Sequence, residues 1–92
     1  MLFVIDNLKY DTDKMKLIST KCEYRWKGSL TGLYFDAREV KLFRSDKGRW
    51  LLVYEEDYKT VGRAMSEEEV KNLLKRFDID VYEKMFGELE EA

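Results

Sequence analysis

Any chemistry in this 92-residue chain must come from carboxylates, lysines, arginines, hydroxyls or a single thiol, because histidine is absent and cysteine occurs once, as Cys22. Without imidazole there is no side chain that ordinarily titrates near neutrality, and the commonest zinc and non-haem iron ligand is missing. A lone cysteine forms neither an intramolecular disulfide nor a cysteine cluster for a metal. Nucleophilic catalysis needs a nucleophile with a base beside it. Cys22 lies between Thr20 and Tyr24 on the apolar side of an alternating stretch, which reads as a small buried side chain rather than a thiolate. No Gly-x-Ser-x-Gly, phosphate loop or dinucleotide fingerprint occurs.

Carboxylates gather at Asp11/Asp13, Glu55/Glu56/Asp57 and Asp78/Asp80/Glu83. Such sets serve as metal ligands or acid–base pairs, but each falls at a turn or an element end, where Asp and Glu are expected for capping and solvation. Asp78-x-Asp80 lacks the glycine and the remaining ligands of a calcium loop. A carboxylate-based, metal-assisted enzyme is therefore the least favoured reading. The expectation is a non-enzymatic binding module with no catalytic residues, no metal and no cofactor.

Two charged sets could carry binding. Lys21, Arg25 and Lys27 line the polar side of one predicted strand, and Lys41, Arg44, Lys47 and Arg49 surround a predicted hairpin. On neighbouring strands, with Tyr34 or Phe35 exposed nearby, they would contact phosphates and stack bases. That is the alternative reading, a small nucleic-acid-binding regulator. Against it stand an isoelectric point near 5.2 and the interspersed Glu23, Glu39 and Asp46. The second set is acidic: Lys/Arg outnumber Asp/Glu 13 to 10 up to Arg63, and are outnumbered 9 to 4 beyond it. Glu67, Glu68 and Glu69 open a helix, where the dipole favours them. Tyr82, Glu83, Glu88, Glu90 and Glu91 form the candidate protein-binding surface. The last three are expected to end a second helix, where the dipole disfavours them. They are either a frayed terminus or an acidic surface offered to a basic partner.

Elements that position these residues follow from periodicity. Leu2–Ile5 and Leu8–Tyr10 flank an Asp6-Asn7 turn, and Asp11-Thr12-Asp13 caps a single helical turn through Met15. From Leu17 to Lys27, Ile18, Thr20, Cys22, Tyr24 and Trp26 alternate with polar residues, which predicts one half-buried strand. Lys27-Gly28-Ser29 predicts a turn and Leu30–Phe35 a further strand. Glu39–Arg44 and Arg49–Glu56 flank Ser45-Asp46-Lys47-Gly48, a hairpin whose glycine supplies a positive φ. Trp50/Leu52/Tyr54 and Leu51/Val53 make both faces of the second strand apolar, as in a central strand. Lys59–Ala64 adds an edge.

Ser66 with Glu69 offers a capping box and Met65 with Val70 a hydrophobic staple. Val70, Leu73, Leu74 and Phe77 follow the helical period. Asp80 with Glu83 repeats the capping pattern for a second helix carrying Tyr82, Met85, Phe86 and Leu89. The predicted fold is α+β: an antiparallel sheet of four to five strands followed by two C-terminal helices packed on one face. Residues 1–92 form a single domain, with 1–64 the sheet portion and 65–92 the helical portion. A core this small would gain from dimerisation, so a homodimer is compatible. The apolar run Leu2–Ile5 is too short for a signal peptide or a membrane span, so a cytoplasmic protein with no membrane partner is expected.

Three segments carry a resemblance: Tyr10-Asp11-Thr12, Leu42-Phe43-Arg44-Ser45-Asp46-Lys47-Gly48-Arg49-Trp50-Leu51 and Tyr82-Glu83-Lys84-Met85-Phe86-Gly87. In these the chain resembles a family of small uncharacterised proteins encoded by bacterial phages and mobile elements. The resemblance transfers no catalytic residue. It implies a context, in which small acidic phage-encoded domains act as stoichiometric inhibitors of host defence, including CRISPR-type effectors. The partner would then be a host protein, such as a nucleic-acid-guided nuclease, and the compartment the bacterial cytoplasm.

Overall fold

Asp6 and Asn7 both adopt left-handed backbone, φ 52° and 63°, and this two-residue turn joins β1 (Leu2–Ile5) to β2 (Leu8–Asp11) as an antiparallel hairpin. Positive φ at both central residues is what the right-handed twist of the flanking strands requires. A computed structural model describes all residues, 1–92. After β2 a single 3₁₀ turn (Thr12–Lys14) is capped by Asp11, whose carboxylate accepts from the Asp13 N–H at 3.1 Å. The chain continues through β3 (Lys16–Ser19), β4 (Arg25–Lys27), β5 (Tyr34–Asp36), β6 (Arg38–Arg44), β7 (Trp50–Glu56), β8 (Lys59–Met65), α1 (Glu67–Phe77) and α2 (Ile79–Phe86).

Four of the strands form the central antiparallel sheet, in the order β3-β6-β7-β8. β7 is the middle of it. Its residues Trp50 to Tyr54 are all buried, and they divide by parity between two separate clusters. Trp50, Leu52 and Tyr54 join Cys22, Val40, Leu42, Val70 and Leu74 on the helix side. Leu51 and Val53 join Tyr10 on the opposite side, with Phe3, Ile5, Met15, Phe43 and Ala64 packed around them. The sheet thus has no free face: the two helices cover one side and the β1–β2 hairpin the other. Close approach of the hairpin needs Gly62, where an added Cβ would lie 2.6 Å from the Phe3 ring.

Helix α1 begins as the sequence predicts. The Glu69 N–H donates to Ser66 Oγ and the Ser66 N–H to Glu69 Oε1, each at 3.1 Å. That backbone hydrogen bond from Ser66 holds the Glu69 carboxyl below its ordinary value of 4.5. Val70 and Leu74 are fully buried, with Leu73 and Met65 partly so.

The structure corrects four expectations. The predicted strand Leu17–Lys27 is broken. Between Leu17 and Ser19 the register with β6 shifts. Ser19 turns inward, its hydroxyl donating to the buried carboxylate of Asp78 at 2.6 Å and accepting from the Lys21 N–H at 3.2 Å. A side chain that bonds its own backbone two residues on competes with the ladder, and residues 20–24 leave the sheet. Thr20 consequently faces solvent rather than the core. Alternation persists from Cys22 to Lys27 because Cys22 and Tyr24 turn toward the core from an unpaired extended stretch and Trp26 turns toward Phe35 once β4 begins; period two does not distinguish the unpaired part from the paired one.

Second, Leu30–Leu33 are loop rather than strand, and only Tyr34–Asp36 pair, with β4. Third, α2 starts two residues earlier than the Asp80 capping pattern implies. Its N-cap is Asp78, whose side chain is committed to Ser19. Fourth, α2 ends at Phe86, with Gly87 at φ 102°. Glu88, Glu90 and Glu91 lie beyond the helix and outside its dipole, and Leu89 is exposed.

Two outcomes test these contacts. Gly62→Ala is expected to lower unfolding free energy by about 1–3 kcal/mol through overpacking against Phe3, with partial recovery on adding Phe3→Leu. Urea unfolding measures it, and an unchanged midpoint would mean that the β1–β2 hairpin does not lie on β8. Ser66→Ala should cost about 1 kcal/mol. The Glu69 contribution should be complete above the ordinary glutamate value and fade as pH falls through the lowered one, seen as helix loss in far-ultraviolet dichroism.

Candidate interaction surface

β4 and β5 form a hairpin separate from the central sheet. Three cross-strand pairs build it. Trp26 stacks on Phe35 with ring centroids 4.8 Å apart, Arg25 meets Asp36 at 3.1 Å, and the Lys27 ammonium lies 6.0 Å from the centre of the Tyr34 ring. Aromatic and opposite-charge pairs directly across a ladder are the units that stabilise such a ribbon. The connecting loop is tight. The Gly28 N–H donates to the Leu33 carbonyl at 2.8 Å and the Gly32 N–H to the Gly28 carbonyl at 3.0 Å, with Gly32 at φ 70°. This order presents apolar side chains outward: Leu30 is 99% exposed, Tyr34 62% and Leu33 61%, with Phe35 also exposed.

Facing the hairpin is the β7–β8 turn, Asp57-Tyr58, with φ 45° and 63°. It has the same two-residue form as Asp6-Asn7. Asn tolerates left-handed backbone and glycine adopts it freely, whereas a bulky aromatic does so at a cost. Yet position 58 is tyrosine, and its side chain is 94% exposed. Packing does not account for this residue and backbone preference opposes it. Between hairpin and turn lies a groove of about 520 Å³, walled by Trp26, Phe35 and Tyr58 and rimmed by Asp36, Glu55, Glu56 and Asp57. Arg38 lies 5.9 Å from the Tyr58 ring centre.

The seven basic residues do not share one face. Arg25 and Lys27 are engaged on the β4–β5 hairpin. Lys21 and Lys41 line a shallow depression together with Glu23 and Glu39. Arg44 stacks on Trp50 at 5.3 Å, and Lys47 and Arg49 border a groove with Lys9 and Lys14 near the β6–β7 turn. That turn and the Asp57-Tyr58 turn cap opposite ends of β7, roughly 20 Å apart at the usual rise per residue.

The acidic set is divided as well. Tyr82 is half-buried, packed on Phe86 at 5.4 Å with the Lys75 ammonium 5.5 Å from its ring. Glu83 accepts the Leu89 N–H at 2.9 Å, and Glu88, Glu90 and Glu91 extend into solvent. Asp11 and Asp13 pair with the N-terminal ammonium at 3.8 and 3.5 Å. No group of three or more carboxylates and thiols converges to hold a metal ion. Cys22 is buried, and that burial pushes its thiol up despite the Ser19 hydroxyl 3.8 Å away.

The largest groove, about 730 Å³, runs between β4 and α1. All of its charged groups but Glu23 already have partners: Arg63 with Glu69 at 3.5 Å and with the Tyr24 ring, Arg25 with Asp36, and Arg76 with Phe77. Leu30, Leu33 and Tyr58 are the residues that sequence reasoning missed. Two signals were present: a leucine enclosed by Gly28-Ser29 and Thr31-Gly32, and a tyrosine in a two-residue turn where glycine is the cheapest choice.

Compared with known proteins, the chain matches no family model, no curated protein and no solved structure. No helix is long and apolar enough to cross a membrane.

Burial also predicts titration. The Tyr54 phenol, against Tyr24 at 4.6 Å, is pushed up to about 12, chiefly by loss of solvent, with the Tyr24 phenol and Glu56 adding to it. The native state therefore holds a proton that the unfolded chain releases near 10, and stability should fall as pH rises from there towards 12. Ultraviolet titration at alkaline pH should show one late tyrosine. Cys22 should resist iodoacetamide in the folded chain and react once urea unfolds it; rapid native alkylation would contradict its burial.

Proposed function

We propose that this chain is a protein-binding module that docks through the β4–β5 hairpin and the neighbouring Asp57-Tyr58 turn. The observation that carries the reading is Tyr58, a nearly fully exposed aromatic held in left-handed backbone beside Leu30 and Phe35, which line the same groove. Backbone strain at a residue that the fold does not need marks a site kept for another purpose. Tyrosine and tryptophan are also the residues that dominate protein interfaces, because they bury much area with few rotatable bonds. Each side chain fully buried by a partner would contribute about 1.5–3 kcal/mol before the cost of association.

The partner class follows from the resemblance of the segments around Leu42–Leu51 and Tyr82–Gly87 to phage-encoded proteins. It supports a host defence effector, such as a nucleic-acid-guided nuclease, inhibited by stoichiometric binding. Such effectors carry positively charged channels, which an acidic, aromatic surface complements.

Tyr58→Gly separates binding from folding. It removes the aromatic and relieves the left-handed strain, so the thermal midpoint should hold or rise while partner capture falls at least tenfold; Leu30→Ala should lose capture with no change in midpoint. Capture of the same host protein by parent and by both variants alike would overturn the docking surface. For the effector itself, co-expression with a CRISPR-type nuclease should protect an invading plasmid in proportion to the amount of this protein. Undiminished interference would remove that partner class.

A further inference from the structure

We propose that the groove between the β4–β5 hairpin and the Asp57-Tyr58 turn receives an arginine or lysine side chain of the docking protein. This rests on the docking reading above and names the chemistry of its partner. The groove combines two features that recognise a cation. Trp26, Phe35 and Tyr58 wall it, and aromatic faces attract positive charge through their quadrupole. Asp36, Glu55, Glu56 and Asp57 rim it against Arg38 alone.

Three of those carboxylates are uncommitted. Asp36 is held by Arg25, whereas Glu55, Glu56 and Asp57 take part in none of the four ion pairs and in no side-chain hydrogen bond of the chain. Cations stand near them: Arg38 is across the ladder from Glu55, and Lys59 from Glu56. Neither closes a pair. Arg38 turns its guanidinium over the Tyr58 ring instead, which shows that this ring face accepts a planar cation. Once a partner covers the groove, its aromatic walls displace water and strengthen the attraction between the incoming cation and the rim. A bare metal ion does not fit, because carboxylates and thiols nowhere converge in threes and aromatic walls offer no hard ligands. Phosphate is repelled by the same rim. A guanidinium or ammonium on an aliphatic stem matches both the walls and the rim.

The probe is an eight-residue peptide of alternating leucine and arginine, with a counterpart in which citrulline replaces every arginine. Citrulline keeps shape and hydrogen bonding and removes the charge. Binding to the full chain is followed by fluorescence anisotropy, with the Trp26 indole N–H resonance reporting the location. The arginine peptide is expected to bind about tenfold tighter than the citrulline peptide and to shift Trp26. Glu55→Gln with Glu56→Gln and Asp57→Asn should reduce that ratio to about threefold or less. Arg38→Gln, which removes the resident cation, should raise affinity for the arginine peptide.

Equal binding of the two peptides, failure of the arginine peptide to bind at millimolar concentration, or perturbation of the Glu88–Glu91 tail in place of Trp26 would each overturn the proposal. Those outcomes are distinct from failure of the docking reading, which shows in partner capture by the Leu30→Ala and Tyr58→Gly variants. Equal peptide binding that Leu30→Ala abolishes would keep the surface and discard the cation.

Discussion

Burial of β7 on both sides is the constraint on which the rest of this fold depends. Five consecutive buried residues, Trp50 to Tyr54, present apolar surface above and below the sheet. A strand of this kind is stable only when two layers cover it. The chain supplies one layer from each end: the N-terminal hairpin brings Phe3, Ile5 and Tyr10, and the C-terminal helices bring Val70, Leu74 and Phe86. A 92-residue chain has little surplus, and nearly all of its regular structure is spent on covering that strand. The β4–β5 hairpin is the exception. It packs through Tyr24 at its base and otherwise projects, with its own stacked pair Trp26–Phe35 in place of a core. An element released from structural duty is free to present apolar side chains outward.

Legibility of the sequence followed the same division. Where one physical requirement dominates, the residues announce it. The Ser66–Glu69 capping box, the Asp6-Asn7 and Gly48 turns and the two-faced β7 were all readable, because each is a local rule with a local signature. The break after Ser19 was not, since its cause is a carboxylate 59 residues away. Alternation from Leu17 to Lys27 runs through residues that the fold treats differently: Ser19 is buried and Thr20 exposed, and only from Cys22 onward does the apolar parity again mark the inward side. The helix-side coverage was legible from the amphipathic stripes. Coverage of the opposite face was hidden, because a four-residue strand such as Leu2–Ile5 carries too little pattern to say what it lies against.

The residues that charge singles out and those that the groove brings together are different sets. The lysines and arginines drew notice as a set, yet the fold distributes them to opposite ends and engages several with aromatic rings or carboxylates. Leu30 and Tyr58 attracted none, because leucine and tyrosine in an apolar-rich chain read as core. Their exposure emerges only when the loops are placed. What distinguishes them is inconsistency between levels: a loop tip that takes leucine, and a left-handed turn position that takes tyrosine.

The bond between Ser19 and Asp78 has a bearing on how the molecule comes into being. Asp78 closes α1 and opens α2, so the residue that anchors the departure from β3 sits at the junction of the two helices. A nascent polypeptide still lacking that junction has its central strand bare on one side, with Leu42, Trp50 and Leu52 facing water. Synthesis at roughly 5–20 residues per second leaves such an intermediate exposed for seconds. Coverage of that side therefore waits on residue 78 and the helices around it, and a chain cut short before residue 78 would be not a smaller working sheet but a sticky fragment for proteolysis.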